Sequence, residues 1–448
     1  MAGKKMILGL GMTAGYGNLA GAWRAPHVDP GNYAKVEANV RYAQTAERGG
    51  FAFLFTPDFP AVRGDVEATG VQNVLEPMMQ LAAISQATER IGFVATGSTT
   101  FQEPFNTARQ FKALDVMSHG RAGWNAVTTS DPAVAANYGS TVVDRAERYG
   151  RAHEAIQIVQ ALWGSWEPDA WLADQDSGRF LDASKLQPVN LQGQYVASRG
   201  PLPIPPSEQG QPVIFSSGGP SPHLLELAGR YASGFIAEVW TIEEARAQRE
   251  LVRDAAVQAG RDPDEIKYFP GLMTTVAPTT RAGLDRRLAL SGDVIEARLP
   301  HLGGLLGLRI DPSRYDEPLT PEQLAAASAS PMDPRSGIVL GLAHEGWSPR
   351  DILAHGAIDY HPTTVGPAVV HADYLQAWLE ADAADGFWIS PDIYEDGVDG
   401  FVDEVVPELR RRGIFPEEYV GATLRENLGV PPQYGIDSRV TRAARGED

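Results

Sequence analysis

The chain has 448 residues, 43% of them hydrophobic and 21% charged, the composition of an ordinary globular protein without low-complexity tracts. Lysine and arginine number 38 against 57 acidic residues, a formal net charge of −19. That charge disfavours nucleic acid or an anionic membrane as a partner, and it argues against a polyanionic substrate unless a local basic pocket overrules the global sign. Cysteine is absent, which removes disulfides, thiolate metal sites and cysteine nucleophiles together and fits a reducing cytoplasm.

The first apolar run follows two lysines but is too short and too broken by glycine for a signal peptide, so residues 6–12 read as a strand. No run reaches the roughly 20 apolar residues that span a bilayer. Residues 34–47 read as a helix, with Val36, Val40 and Ala43 on one face and Gly49-Gly50 as its stop. Residues 51–55 (FAFLF) are apolar on both faces, as a buried parallel strand requires. The alternation continues with helix 77–87, strand 91–96, helix 104–118, strand 121–127 and helix 145–163. After 165–211, rich in Pro, Gly, Asp and Gln and read as a hairpin and excursion, come strand 213–215, helix 223–231, strand 234–239, helix 243–259 and strand 266–276. Residues 278–367 hold predicted helices at 281–297, 321–328 and 349–357 but no barrel strand, and 387–390 with 401–412 form the last pair. Eight strand–helix alternations predict an α/β fold, a (β/α)8 TIM barrel in one domain over 1–448, with insertions near 165–211 and 278–367 and a C-terminal tail at 431–448. Both insertions are expected over the barrel mouth.

Several segments are specific: Gly21-Ala22-Trp23-Arg24, Ala46-Glu47-Arg48-Gly49 before the FAFLF strand, ATGSTT at 95–100, Leu114-Asp115-Val116-Met117-Ser118 and Gly120-Arg121-Ala122-Gly123-Trp124-Asn125. DRAERY at 144–149, Ala383-Ala384-Asp385-Gly386-Phe387 and FVDEVVPELRRRG at 401–413 continue the series. Together they resemble the bacterial-luciferase-like superfamily, and within it the flavin-dependent monooxygenases that oxidise nitrilotriacetate, dibenzothiophene sulfone and long-chain alkanes. The matches run from near residue 20 to near residue 430, and 120–127 is the most specific. The resemblance implies reduced FMN (FMNH2) delivered by a separate flavin reductase that uses NADH or NADPH. It also implies transfer of one atom of O2 to a small organic substrate through a flavin C4a-hydroperoxide, in a cytoplasmic homodimer or homotetramer. The alternatives are a deazaflavin-dependent reductase or dehydrogenase on the same barrel, against which Trp124-Asn125 and the C-terminal segment weigh, and a non-catalytic flavin-binding protein.

The residues that would hold the cofactor follow the strand ends. Asp58 comes directly after the second strand, where an acidic residue reads as functional, and the matching family position contacts flavin. Thr96 ends the third strand, where a hydroxyl suits a flavin carbonyl, with Thr99 and Thr100 as alternatives. Asn125 ends the fourth and offers both a donor and an acceptor. Arg145 and Tyr149 are four apart on one helical face and suit a phosphate; the resemblance supports Tyr149 more than Arg145, for which an exposed ion pair is the other reading. The loop at 216–221 (SSGGPS) suits an anion through its backbone N–H groups and the following helix start. There the chain departs from the family's Gln-Ala-Gly-Ser-Ser run by an inserted Pro220, which favours Ser221 as phosphate ligand and leaves Ser216 and Ser217 open.

Trp23, Phe55, Trp124 and Trp240 are candidates for an apolar wall and equally for core. Gly9-x-Gly11 mimics a dinucleotide fingerprint, but Asp58 lies far beyond the spacing that motif requires. Histidines 344, 355, 361 and 371 lack metal-ligand spacing and read as structural or loop residues; no metal site is predicted.

Overall fold

Runs that are apolar on both faces become parallel strands because lumen packing covers one face and helices the other. The computed structural model describes residues 4–12, 15–64, 66–71, 74–291 and 294–435. Its parallel strands are β1 (Ile7–Gly11), β2 (Phe53–Thr56), β3 (Gly92–Ser98), β4 (Ala122–Val127), β5 (Val213–Ser217), β6 (Gly234–Ala237), β7 (Lys267–Val276), β8 (Thr363–Gly366) and β9 (Gly386–Pro391). Pairing runs β1-β2-β3-β4-β5-β6-β7-β9 and returns to β1, so eight strands close the barrel that the alternation predicts. Residues 278–367, read as holding no barrel strand, stay out of the closed ring but contribute one short sheet strand, β8. It pairs with the far half of β7, Met273 opposite Thr363, whereas the near half pairs with β6. Four residues, Thr-Thr-Val-Gly, are too few to show a period in sequence.

The surrounding helices include α1 (Val36–Gly49), α2 (Pro77–Ser85), α3 (Pro104–Met117), α4 (Arg145–Trp163), α5 (Pro222–Tyr231), α6 (Ile242–Gln258), α7 (Thr280–Ser291) and α8 (Ala368–Glu380). Side-chain caps fix several starts: Asp144 accepts from the Ala146 N–H, and Thr241 from that of Glu244. Gly50, at φ 84°, ends α1 in the left-handed region that glycine tolerates. No helix among the described residues is long and apolar enough to cross a membrane.

The lumen is packed with aromatic rings, Phe53 lying 5.4 Å from Phe215 and 5.2 Å from Phe269 between centroids. A Cβ at Gly9 would come within 2.4 Å of the Phe53 ring, and one at Gly11 within 2.4 Å of Trp388. The two glycines of β1 therefore make room in the lumen for rings from the two neighbouring strands, β2 and β9, which is what the Gly-x-Gly spacing serves here. Leu424 and Leu428 join the same cluster from the C-terminal segment.

One insertion lies at the opposite end of the barrel from that expected. Residues 165–211 form two antiparallel hairpins, Trp171–Asp174 with Arg179–Leu181 and Leu191–Gln192 with Ala197–Ser198. They follow a helix, so they open on the amino face. Gln209 Nε2 donates to Asp115 Oδ1 at 2.6 Å and to the carbonyl of Ala122, the first residue of β4, at 2.9 Å. The insertion after β7 follows a strand and rises over the carboxyl mouth, with its own core around Leu302, Leu306, Val339 and Ile352. Of the expected tail, Gln433 donates to the Gln209 carbonyl at 3.2 Å, and 436–448 lie outside the described residues.

Candidate active site

β3 and β4 run side by side with Thr96 opposite Asn125. Val94 packs in the lumen, and the two-residue alternation of a strand turns Thr96 inward as well. Asn125 Nδ2 donates to Thr96 Oγ1 at 2.9 Å, while Oδ1 is buried without a partner among the described residues. Turning the amide over only exchanges which atom is left, so one hydrogen-bonding position stays open in either orientation. Thr99 and Thr100 are engaged elsewhere, donating to the carbonyls of Val127 at 3.0 Å and Thr129 at 3.3 Å.

The indole of Trp388 lies between Gly11 and Gly271; a Cβ at the latter would come within 2.6 Å of it. Phe55 meets the indole at 5.5 Å, and His361 stands perpendicular to it at 4.7 Å. His361 is buried, and desolvation pushes its imidazole down to about 3, so it is neutral at pH 7. Its Nδ1, Trp388 Nε1 and Ser390 Oγ are all buried without partners among the described residues. Each such atom costs about 1–3 kcal/mol when nothing bonds it. Their gathering at one barrel end with Asn125 marks a place built for a polar ligand. His361 escaped the sequence reading because its position depends on the docking of β8, which no spacing announces.

Of the other rings considered for a wall, Trp124 turns away from the lumen. It packs against Phe111 and Trp163 and donates to the Gly97 carbonyl at 3.1 Å, which makes it core between barrel and helices. Trp240 donates to the Asp359 carbonyl at the rim, and Trp23 lines a rim cavity.

Asp58 sits half-buried just past β2. Burial, aided by the charge of Glu76, pushes its carboxyl up to about 6, against the opposing Phe59 N–H. The loops after β2 and β4 are tied together across this region. Arg63 stacks on Phe59 and pairs with Asp131, and Asn137 donates to the Pro60 carbonyl at 2.8 Å.

The structure brings the segments after β4 and β5 together. Tyr149, buried on the first turns of α4, stacks on His223 with centroids 5.2 Å apart, and His223 is the second residue of α5. Ser221 caps α5, accepting from the Leu224 N–H at 3.4 Å. Gly218, at φ 132°, turns the loop, and no atom lies within 4 Å of a Cβ built at Gly219, which leaves room in front of the helix start. Phe215 packs in the lumen, so alternation turns Ser216 outward, where it is fully buried. Arg145 is exposed at the start of α4 with neither hydrogen bond nor ion pair among the described residues, whereas Arg148 Nε is buried and unpaired. Arg148 and His223 are basic groups that sequence reasoning passed over, although each stands within two residues of a named candidate. The arrangement offers an anion-binding helix start beside a polar, ring-floored mouth.

Comparison with known proteins agrees with this geometry. The luciferase-like monooxygenase family model matches residues 19–333. N-acetyl-S-(2-succino)cysteine monooxygenase from Bacillus subtilis (strain 168) is 36% identical over 440 residues, 96% of this chain and 98% of that protein. Nitrilotriacetate monooxygenase component A from Aminobacter aminovorans is 35% identical over 427 residues, 92% and 93% of the two chains. The solved structure of EDTA monooxygenase from Chelativorans sp. BNC1 superposes with a TM-score of 0.81 at 30% identity, over 97% of this chain and 100% of that one. The closed barrel, its unpaired polar mouth and similarity along nearly the whole chain have one reading: the protein belongs to the luciferase-like monooxygenase family and is an FMNH2-dependent monooxygenase of a small organic substrate.

Proposed function

We propose that FMNH2 lies across the carboxyl ends of β2 to β5, its ring edge toward Asp58, Thr96 and Asn125 and its phosphate at the start of α5. The observation that carries this reading is the open hydrogen-bonding position of Asn125, buried beside Thr96 on the lumen side. When bound, reduced FMN supplies the oxygen activation and the transfer of one atom of O2. The chain's own residues bind, orient and exclude water. Asn125 fixes the ring edge through its amide, and Asp58, once ionised, accepts from a flavin N–H. Trp388, Phe55 and His361 floor the mouth with buried groups that keep bulk water from the reacting face.

At the other end, Ser221 and the N–H groups of α5 face the phosphate dianion, with Tyr149 donating from α4 and Arg145 adding charge from its first residue. A separate NAD(P)H-dependent flavin reductase delivers the reduced cofactor; the relative from Aminobacter aminovorans, named as component A, supports such a division of labour. The working enzyme is a cytoplasmic homodimer or homotetramer in a single barrel domain, with neither nucleic acid nor membrane as partner. Its acidic surface and lack of cysteine support that setting. Its substrate belongs with the small polar organics that the similar enzymes are named for, an amino-polycarboxylate or an S-substituted cysteine.

Anaerobic titration with FMNH2 tests the placement. Tyr149→Phe and Ser221→Ala should each weaken binding by about 1–3 kcal/mol, the range for losing a hydrogen bond to a charged group. Unchanged affinity in both variants would move the phosphate elsewhere.

A further inference from the structure

We infer that the cavity on the opposite side of the mouth is a carboxylate-binding substrate pocket, with Arg24 as its principal anion ligand. The inference rests on the monooxygenase reading and adds the pocket and the side chains that hold the substrate's carboxylates. The cavity has a volume of about 470 Å³, within the range of small-molecule sites. It lies over β7 and β9: Met273 of β7 lines it, and so does Asn18, which donates to the Ser390 carbonyl at 2.5 Å. Tyr360, another lining residue, precedes His361, the imidazole that stands on Trp388. The pocket thus adjoins the proposed flavin floor from the side away from the phosphate.

Its charge runs against that of the whole molecule. Three arginines line it, Arg24, Arg287 and Arg298, together with one described carboxylate, Asp359. Asp359 is already shared, 3.0 Å from Arg287 Nη2 and 2.7 Å from Arg298 Nη1. Arg287 is buried and saturated, since Nε donates to the Ala354 carbonyl at 2.5 Å and Nη1 to Thr275 Oγ1 at 3.2 Å. Arg298 keeps a third of its side chain exposed. Arg24 donates to the Leu290 carbonyl at 3.0 Å and meets no carboxylate among the described residues. Among the described residues two positive charges are therefore left over in a lining that is otherwise largely apolar, with Leu19, Trp23, Leu290, Ile295 and Leu353. In a protein of net charge −19 such a local surplus favours an anion at this place, and a planar guanidinium fork matches a carboxylate with two parallel hydrogen bonds. The apolar walls take the substrate's carbon or thioether portion.

Calorimetric titration of the flavin-free protein tests this. The probes are N-acetyl-S-(2-succino)cysteine and nitrilotriacetate as carboxylates, with dimethyl sulfide and dibenzothiophene sulfone as neutral controls. The carboxylates should bind, more weakly as salt rises, and Arg24→Gln should raise their Kd by about tenfold or more, with partial recovery in Arg24→Lys. Arg24 is exposed, so its variants keep the fold, and thermal melting verifies it; Arg298→Gln gives a second, independent loss. Carboxylates that fail to bind, affinity indifferent to both arginine variants, or tighter binding of the neutral compounds would each overturn the assignment. Anaerobic FMNH2 titration of the unaltered protein separates the two layers. Loss of flavin binding would sink the monooxygenase reading, whereas intact flavin binding without carboxylate preference would sink only the pocket's chemistry.

Discussion

At the scale of single residues, Asp58 makes the most direct link between environment and function. A carboxyl held at about 6 is still mostly ionised at pH 7, yet it loses its charge within a range where most aspartates keep theirs. If the ionised form accepts from the flavin, affinity for FMNH2 must fall as pH drops through 6. The flavin phosphate titrates nearby, at about 6, so the comparison is with Asp58→Asn, which cannot ionise. Anaerobic titrations between pH 5 and 8 should show a steeper loss in the unaltered protein than in the variant, and parallel curves would remove Asp58 from the flavin site. The stability sign is the reverse. A carboxyl raised above its unfolded value is unfavourable to the fold once ionised, so Asp58→Asn should gain stability above pH 6 and gain none near pH 4. Asp58, Thr96 and Asn125 were legible in sequence because each lies near or just past the carboxyl end of a recognisable strand, although β3 and β4 run two residues beyond Thr96 and Asn125. His361, Arg148 and His223 were not, since their importance comes from neighbours brought in by tertiary docking.

Elements explain where the sequence reading held and where it slipped. Strands buried on both faces and the long α4, predicted at 145–163 and found at Arg145–Trp163, carry signals that survive without tertiary context. β8 and α8 do not, the former being too short and the latter falling in the unassigned stretch between the insertion that ends at 367 and the last predicted strand at 387–390. The length of the first insertion points to the mouth, but what precedes it, a helix rather than a strand, decides which barrel end it occupies. The second is clasped to the barrel by Arg286 of α7, 2.7 Å from the buried Asp392 just past β9 and also paired with Asp396. A packing test belongs at this scale. Gly11→Ala would drive a Cβ to 2.4 Å from the Trp388 indole, which Gly271 confines from the other side. Overpacking of this kind should cost about 1–3 kcal/mol, read as a lower midpoint in urea unfolding. An unchanged midpoint would mean that the indole is free to move aside and does not form a fixed floor.

Across the whole molecule, the barrel mouth is divided. The β2 to β5 side gathers the open amide, the half-buried carboxyl and the capped start of α5, while the β7 and β9 side holds the arginine-lined cavity. Trp388 and His361 lie between, so cofactor and substrate would meet over one pair of rings. Net charge does not describe this cavity, because a sum over 448 residues hides three arginines placed together. A crystal of the protein soaked anaerobically with FMNH2 tests the division most directly. Electron density for the three-ring system beside Asn125 and over Trp388, with the phosphate within hydrogen-bond reach of Ser221, is the expected result. Density for the ring anywhere off the carboxyl ends of the strands, or a phosphate remote from the start of α5, would contradict it.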